Sequence, residues 1–113
     1  MGLIFLASGT SGSDLPDFGF MNPIAMKGGH LLGYAMLGAA YLHALVWQRT
    51  STRFRFLAAG ILVVLYAISD EWHQSFTAGR HPSLADICID TVGGIWGIAC
   101  LHYVRKRILR PNR

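Results

Sequence analysis

Three apolar segments, each of about 20 residues, constrain the fold of this chain more than any other feature. They run from about Met26 to Gln48, from Phe56 to Phe76 and from Leu84 to Val104. A helix of this length crosses the hydrocarbon core of a bilayer. No water is present there, so each backbone N–H and C=O must bond within its own segment. The sequence therefore predicts an all-α protein, a transmembrane helical bundle with three full spans.

Composition supports a membrane location for the whole chain. Of its 113 residues, 52% are hydrophobic and 14% are charged, whereas soluble domains carry about 25% charged residues. A chain this short could not bury so much apolar surface in a core of its own. We expect a single transmembrane domain over residues 1–113.

The N-terminal segment, residues 1–8, is apolar but too short to span, and it lacks the basic start of a signal peptide. A polar loop follows at residues 9–25. Such a loop is typical of a chain that has just left the membrane. We therefore expect residues 1–8 to be the outer end of a short or truncated first helix, with a half-buried anchor as the alternative.

The basic residues predict the orientation of the bundle. Eight of the ten lie between the first and second spans or after the third: Arg49, Arg53, Arg55, Arg105, Lys106, Arg107, Arg110 and Arg113. The positive-inside rule makes this side cytoplasmic, which predicts a multi-pass protein of the cytoplasmic membrane with its C-terminus inside. The net charge of +4 then reflects topology and attraction to anionic headgroups. We expect membrane lipids as partners, and no nucleic acid.

Polar side chains from all three spans fall at one depth, near the outer surface. They are Lys27, His30 and Tyr34 on the first span, Glu71 and Gln74 on the second, and Arg80, Asp86 and Asp90 before or within the third. Ionisable groups in a membrane usually face the bundle interior or a watery cavity, and they suggest a functional site. The sequence therefore predicts an outward-facing polar pocket.

Short local motifs predict how the third span begins and how the spans pack. Ser83 and Asp86 have the spacing of a capping box, with Ser83 at the N-cap and Asp86 at N3. Two pairs of glycines, Gly29 with Gly33 and Gly93 with Gly97, have the spacing that lets membrane helices approach closely.

Each polar residue also has a purely structural interpretation. Asp86 would only cap its helix, Lys27 would extend to the interface, and His30 would be a hydrogen-bonded core histidine. Asp90 would form an ion pair with Arg80 or Lys27. Glu71 and Gln74 have the weakest structural explanation and are the strongest candidates for function.

Metal binding is a further alternative for these residues. His30, Glu71, Asp86 and Asp90 could supply nitrogen and oxygen ligands. No pair such as His-x-x-x-His, however, places two ligands on one helical face. We therefore expect neither a metal nor a cofactor.

The segment Asp70-Glu71-Trp72-His73-Gln74-Ser75-Phe76 resembles the acidic-Glu…Gln-x-Phe motif of the VanZ-like family of small bacterial membrane proteins. The similarity continues through Gly79-Arg80, Ser83, Asp86, Asp90 and the small-residue segment 91–97. Lys27-Gly28-Gly29-His30 with Tyr34 and Leu37-Gly38 is similar to the family's second-helix signature. The resemblance implies four membrane helices with both ends inside, of which we expect residues 1–8 to supply only the outer end of the first. It also implies a link to low-level teicoplanin resistance.

Two functional hypotheses follow from the pocket and the resemblance. In the first, the pocket binds or acts on a lipid-linked or cell-envelope anionic ligand. The catalytic candidates are then Glu71 as acid/base, His30 and Asp90, and the ligand-binding candidates are Lys27, Tyr34, Gln74, Arg80 and Asp86. In the second, the chain is a non-catalytic accessory subunit of a larger membrane complex, and the same residues form a network that holds the bundle together.

The topology can be tested with reporter fusions. We expect green fluorescent protein fused after Arg113 to fluoresce, because this basic end stays in the cytoplasm. We expect alkaline phosphatase fused after His81 to be active, because this connection lies on the outer side. The same two reporters fused after Thr50 serve as the control for the cytoplasmic side. Active phosphatase after Arg113 would contradict the predicted orientation.

Overall fold

The apolar segments form three long helices in the computed structural model of this protein. The structure describes residues 21–76, 81 and 83–108, without the side chains of residues 21–23. The predicted N-terminal helix, residues 1–8, lies outside the described residues.

The helices match the three predicted spans. α1 covers Met21–Val46, α2 covers Thr52–Gln74 and α3 covers Leu84–Ile108. Each is long enough and apolar enough to cross a membrane. The all-α class and the three full spans are therefore confirmed for the described part of the chain.

α1 and α3 extend beyond their apolar segments. α1 begins at Met21, so residues 21–25 are helical and their assignment to a loop was wrong. Pro23 is compatible with this start because the first helical turn does not use the N–H that proline lacks. α3 continues past Val104 to Ile108, since basic side chains in a last helical turn interact favourably with the helix dipole.

α2 begins at Thr52 rather than at Phe56 because of a local cap. The Ser51 hydroxyl oxygen accepts a hydrogen bond from the Phe54 N–H at 3.2 Å. This bond satisfies one of the backbone donors that a helix start leaves without an intrahelical partner.

α1 and α3 run parallel and approach each other closely at glycines of α3. A Cβ on Gly93 would lie 2.6 Å from the Leu31 carbonyl oxygen, and a Cβ on Gly97 would overlap the Ala35 carbonyl. From Gly93 to Gly97 the chain of α3 moves on by one turn, and the residue that it meets on α1 moves on by one turn as well, from Leu31 to Ala35. The two helices therefore share a direction and pack backbone to backbone.

α2 runs antiparallel to α3. Their contacts progress in opposite directions along the two helices: Glu71 with Ser83, Val63 with Gly94, and Phe56 with His102. Consecutive helices therefore run in opposite directions, up and down along the bundle. The arrangement brings the start of α1, the end of α2 and the start of α3 together at one end of the bundle.

The core between the helices is narrow and built from small or medium side chains. Its buried members are Tyr34, Leu37, Leu42, Ala59, Val63, Ala67 and Ile98. Large apolar side chains also lie on the outer faces, where Met36 is 75% exposed and Leu65 is 58% exposed. In water such faces would be unstable, but in a bilayer they contact lipid tails.

Gly29, the first glycine of the pair predicted on α1, does not make the close contact expected of it. Gly29 is exposed, and a Cβ there would meet no described atom within 4 Å. Gly33 is half-buried. The close approach on α1 is at Gly38 instead, where a Cβ would overlap the Gly94 carbonyl. Most of the glycines in close contact lie on α3, so the spacing of Gly29 on α1 did not indicate where the helices meet.

The packing can be tested at Gly97. We expect Gly97→Ala to destabilise the bundle by about 1–3 kcal/mol, because a methyl group overlapping backbone cannot be accommodated by rotating a side chain. Thermal unfolding in detergent measures the change. Gly60→Ala is the matched control, since a Cβ there meets nothing within 4 Å. Equal effects of the two substitutions would contradict the packing.

Candidate functional site

Buried polar side chains lie together at the end of the bundle where α2 ends and α3 begins. Asp70, Glu71, Gln74 and Asp90 are each at most 6% exposed, and α1 adds the half-buried His30 and the buried Tyr34. We refer to these six residues as the polar cluster. Burying several carboxylates is costly, and in membrane proteins such groups mark functional sites by default.

Asp70 is the centre of a hydrogen-bond network in the polar cluster. Its Oδ2 accepts a bond from the Tyr34 hydroxyl at 3.3 Å and one from the Gln74 Nε2 at 3.1 Å. Gln74 is one helical turn after Asp70, whereas Tyr34 comes from α1. The network therefore fixes the orientation of the Asp70 carboxylate from two sides.

Glu71 connects α2 to the start of α3. Its Oε1 accepts a hydrogen bond from the Ser83 backbone N–H at 2.6 Å, and α3 begins at the next residue. The capping box predicted Asp86 as the acceptor of this N–H, so that assignment needs correction: the acceptor is Glu71. The distant carboxylate takes this role because the antiparallel packing brings it to the helix start.

His30 and Asp90 face each other across the α1–α3 contact. The His30 Nδ1 lies 3.4 Å from the Asp90 Oδ1, and the His30 ring stacks on the Tyr34 ring. The partner of Asp90 in the described residues is therefore His30, not the predicted Lys27. Ligand atoms of His30, Asp70 and Asp90 lie within 4.8 Å of one another, so all three helices contribute to one small polar volume.

The remaining predicted site residues lie around the polar cluster or outside the described residues. Lys27 is exposed on α1, one turn before His30, and Asp86 is half-buried on α3, one turn before Asp90. Arg80 lies outside the described residues. The cluster itself thus contains five of the predicted side chains: Glu71, His30, Asp90, Tyr34 and Gln74.

Asp70 belongs to the polar cluster but was not among the site residues predicted from the sequence. The available signal was its spacing from Gln74, since residues four apart share a helical face. That spacing could not show that α1 would bring a tyrosine hydroxyl to the same carboxylate. The central position of Asp70 depends on the packing of α1 against α2.

Of three comparisons with known proteins, the one with family models identifies the family of this chain. Comparisons with curated proteins and with solved structures gave no match. The VanZ/LLP1 family model matches residues 4–106. This range includes α1, α2, all of α3 except its last two residues, and every member of the polar cluster. The protein is a membrane protein of the VanZ/LLP1 family.

Proposed function

We propose that this protein binds an anionic ligand of the cell envelope, such as a lipid phosphate or a lipid-linked precursor, at its polar cluster. The observation that carries the proposal is the convergence of polar side chains from three helices at one end of an apolar bundle. The positive-inside rule assigns this end to the outer face of the bacterial cytoplasmic membrane. The ligand would then be reached from the outer leaflet.

Two cations flank the polar cluster in the sequence and would attract the anionic group. Lys27 is exposed one turn before His30, where its long side chain can reach the headgroup region. Arg80 is in the connection between α2 and α3, and a guanidinium suits a phosphate because it donates two parallel hydrogen bonds. Asp86, half-buried on α3, would orient these cations, whereas Asp90 faces His30.

An open groove on the outer face of α2, turned away from Asp70 and Gln74 but at the same end of the bundle, could hold the chain of a lipid ligand. It lies along the last turns of α2 and is lined by Leu65, Ile68, Ser69, Trp72, His73 and Phe76. An acyl or polyprenyl chain could occupy this mostly apolar groove while its headgroup reaches the polar end. The groove therefore favours an amphipathic anion over a small soluble one.

The polar cluster also contains groups that could transfer a proton to or from a bound ligand. His30 and Asp90 are in contact, and histidine gains or loses its proton near neutral pH. Glu71 is the proposed acid/base. Its bond to the Ser83 N–H gives it a second role, because it holds the helix start that carries Asp86 and Asp90.

The lipid proposal can be tested by substituting Lys27. We expect Lys27→Gln to reduce anionic lipid retained by the purified protein about tenfold, since a charged hydrogen bond to phosphate contributes about 1.5 kcal/mol or more. Native mass spectrometry after purification in mild detergent measures the retained lipid. Arg107→Gln removes the same charge from the opposite end of the bundle and is the matched control. Equal lipid retention in both variants would contradict the proposal.

The accessory-subunit alternative has its own support in the structure. The Tyr34–Asp70 and Glu71–Ser83 bonds join different helices, as expected of a network that only holds the bundle together. The protein would then act through a membrane-protein partner rather than through a ligand. Affinity purification from native membranes would recover that partner in stoichiometric amount.

Glu71→Gln separates the two functions. Glutamine keeps an acceptor oxygen for the Ser83 N–H, so under the lipid proposal we expect thermal stability near that of the wild type. Under the lipid proposal, the variant folds and inserts but loses its bound lipid. Under the accessory alternative, it changes only stability or assembly. Glu71→Leu is the companion variant: it removes the acceptor and should cost about 1–3 kcal/mol of stability in either case.

A further inference from the structure

We infer that His30, Asp70 and Asp90 form a binding site for a divalent transition metal ion. Each residue offers one ligand atom, and these atoms lie within 4.8 Å of one another. The three residues come from three different helices. A bound ion would therefore cross-link the whole bundle at its polar end.

The spacing of one ligand pair already suits a metal. Metal bonds to imidazole nitrogen and carboxylate oxygen are about 2.0–2.2 Å long, which separates two ligands of a tetrahedral ion by about 3.4 Å. The His30 Nδ1 and the Asp90 Oδ1 are 3.4 Å apart. A shift of at most about 1.4 Å in a carboxylate would bring the third ligand from within 4.8 Å to the same spacing.

Asp90 supplies an independent observation that points to a ligand between these groups. The residue is 2% exposed. Its Oδ1 lies 3.4 Å from the His30 Nδ1 but has no partner with hydrogen-bond geometry among the described residues. Buried polar atoms nearly always have a hydrogen-bond partner, and an exception calls for an explanation such as a bound ion. The same oxygen faces the His30 ring, so it points into the proposed site.

Charge balance favours a divalent ion. Two carboxylates in a low-dielectric interior carry a large desolvation cost. A divalent cation bound between them makes the group neutral when His30 is a neutral ligand. Asp70 is also prepared for ligation, because Tyr34 and Gln74 donate to its Oδ2 and such contacts orient metal-binding carboxylates.

The ligand types indicate which metals fit. Mg²⁺ and Ca²⁺ prefer oxygen ligands alone, whereas one imidazole with two carboxylates suits ions such as Zn²⁺, Mn²⁺ or Fe²⁺. Three protein ligands leave a coordination position open, as in catalytic zinc sites. The His30 side chain is 23% exposed, which gives that position access from outside the bundle.

An open metal position would explain how an acidic cluster accepts an anion. The cation would offer a positive charge at the centre of the polar cluster, where the described residues otherwise place carboxylates. A phosphate oxygen of the ligand could complete the coordination. This last step rests on the proposed function, whereas the metal site itself does not.

Metal titration of the purified full chain tests the inference in the absence of lipid ligand. The protein is stripped with EDTA after removal of any affinity tag and is titrated with Co²⁺, followed by its visible absorption, and with Zn²⁺, followed by calorimetry. We expect one ion per chain. Asp90→Asn should weaken Zn²⁺ binding by about 100-fold or more, since even outer-shell substitutions cost about 10–100-fold.

Two matched controls and one further variant keep the test decisive. His43→Gln and His102→Gln each remove an imidazole at the opposite end of the bundle, and both should bind Zn²⁺ like the wild type. His30→Gln replaces Asp90→Asn if the latter does not fold. Absence of Co²⁺ and Zn²⁺ binding to the wild type, or unchanged binding in both ligand variants, would overturn the inference. Neither result would affect the Lys27 lipid experiment, which needs no added metal.

Discussion

The close approach of α3 to α1 is the contact on which the rest of this structure depends. Gly93 and Gly97 meet the backbone of Leu31 and Ala35 because they have no side chain to hold the helices apart. Asp90 lies one turn before Gly93 on α3, and the same α1–α3 contact brings it to 3.4 Å from His30. A wider separation at the glycines would also separate this pair. Helix packing in the apolar part of the bundle therefore determines the geometry of the polar part.

The polar end shows a conflict between burial and charge. Asp70, Glu71 and Asp90 are all at most 6% exposed, and a core of apolar residues would hold three helices together at lower cost. Hydrogen bonds from Tyr34, Gln74 and Ser83 offset part of that cost. Under the proposed function, these side chains serve a ligand rather than the stability of the bundle. A bound cation and an anionic ligand are compatible, since the first neutralises the carboxylates that would repel the second.

The sequence predicted the spans well and the polar contacts only in part. Glu71, Gln74, His30, Tyr34 and Asp90 were recognisable because polar groups are rare and expensive in membrane-length segments. Their partners were not recognisable, since the Ser83 N–H bonds to Glu71 rather than to Asp86. Asp70 was missed because its role depends on a hydroxyl from another helix. Local spacing also favoured Gly29, although the close contact on α1 is at Gly38.

By itself, the sequence determined that this protein has three apolar helices and that their polar residues lie at a common depth. It could do so because the thickness of a bilayer sets the length of a span, and the rise of a helix sets the depth of each residue. Only the tertiary structure decided which of these polar residues touch. Contacts between helices depend on their rotation and separation, which are set by the packing of glycines against backbone and not by depth. The assembly of His30, Asp70 and Asp90 from three helices is a result of that packing.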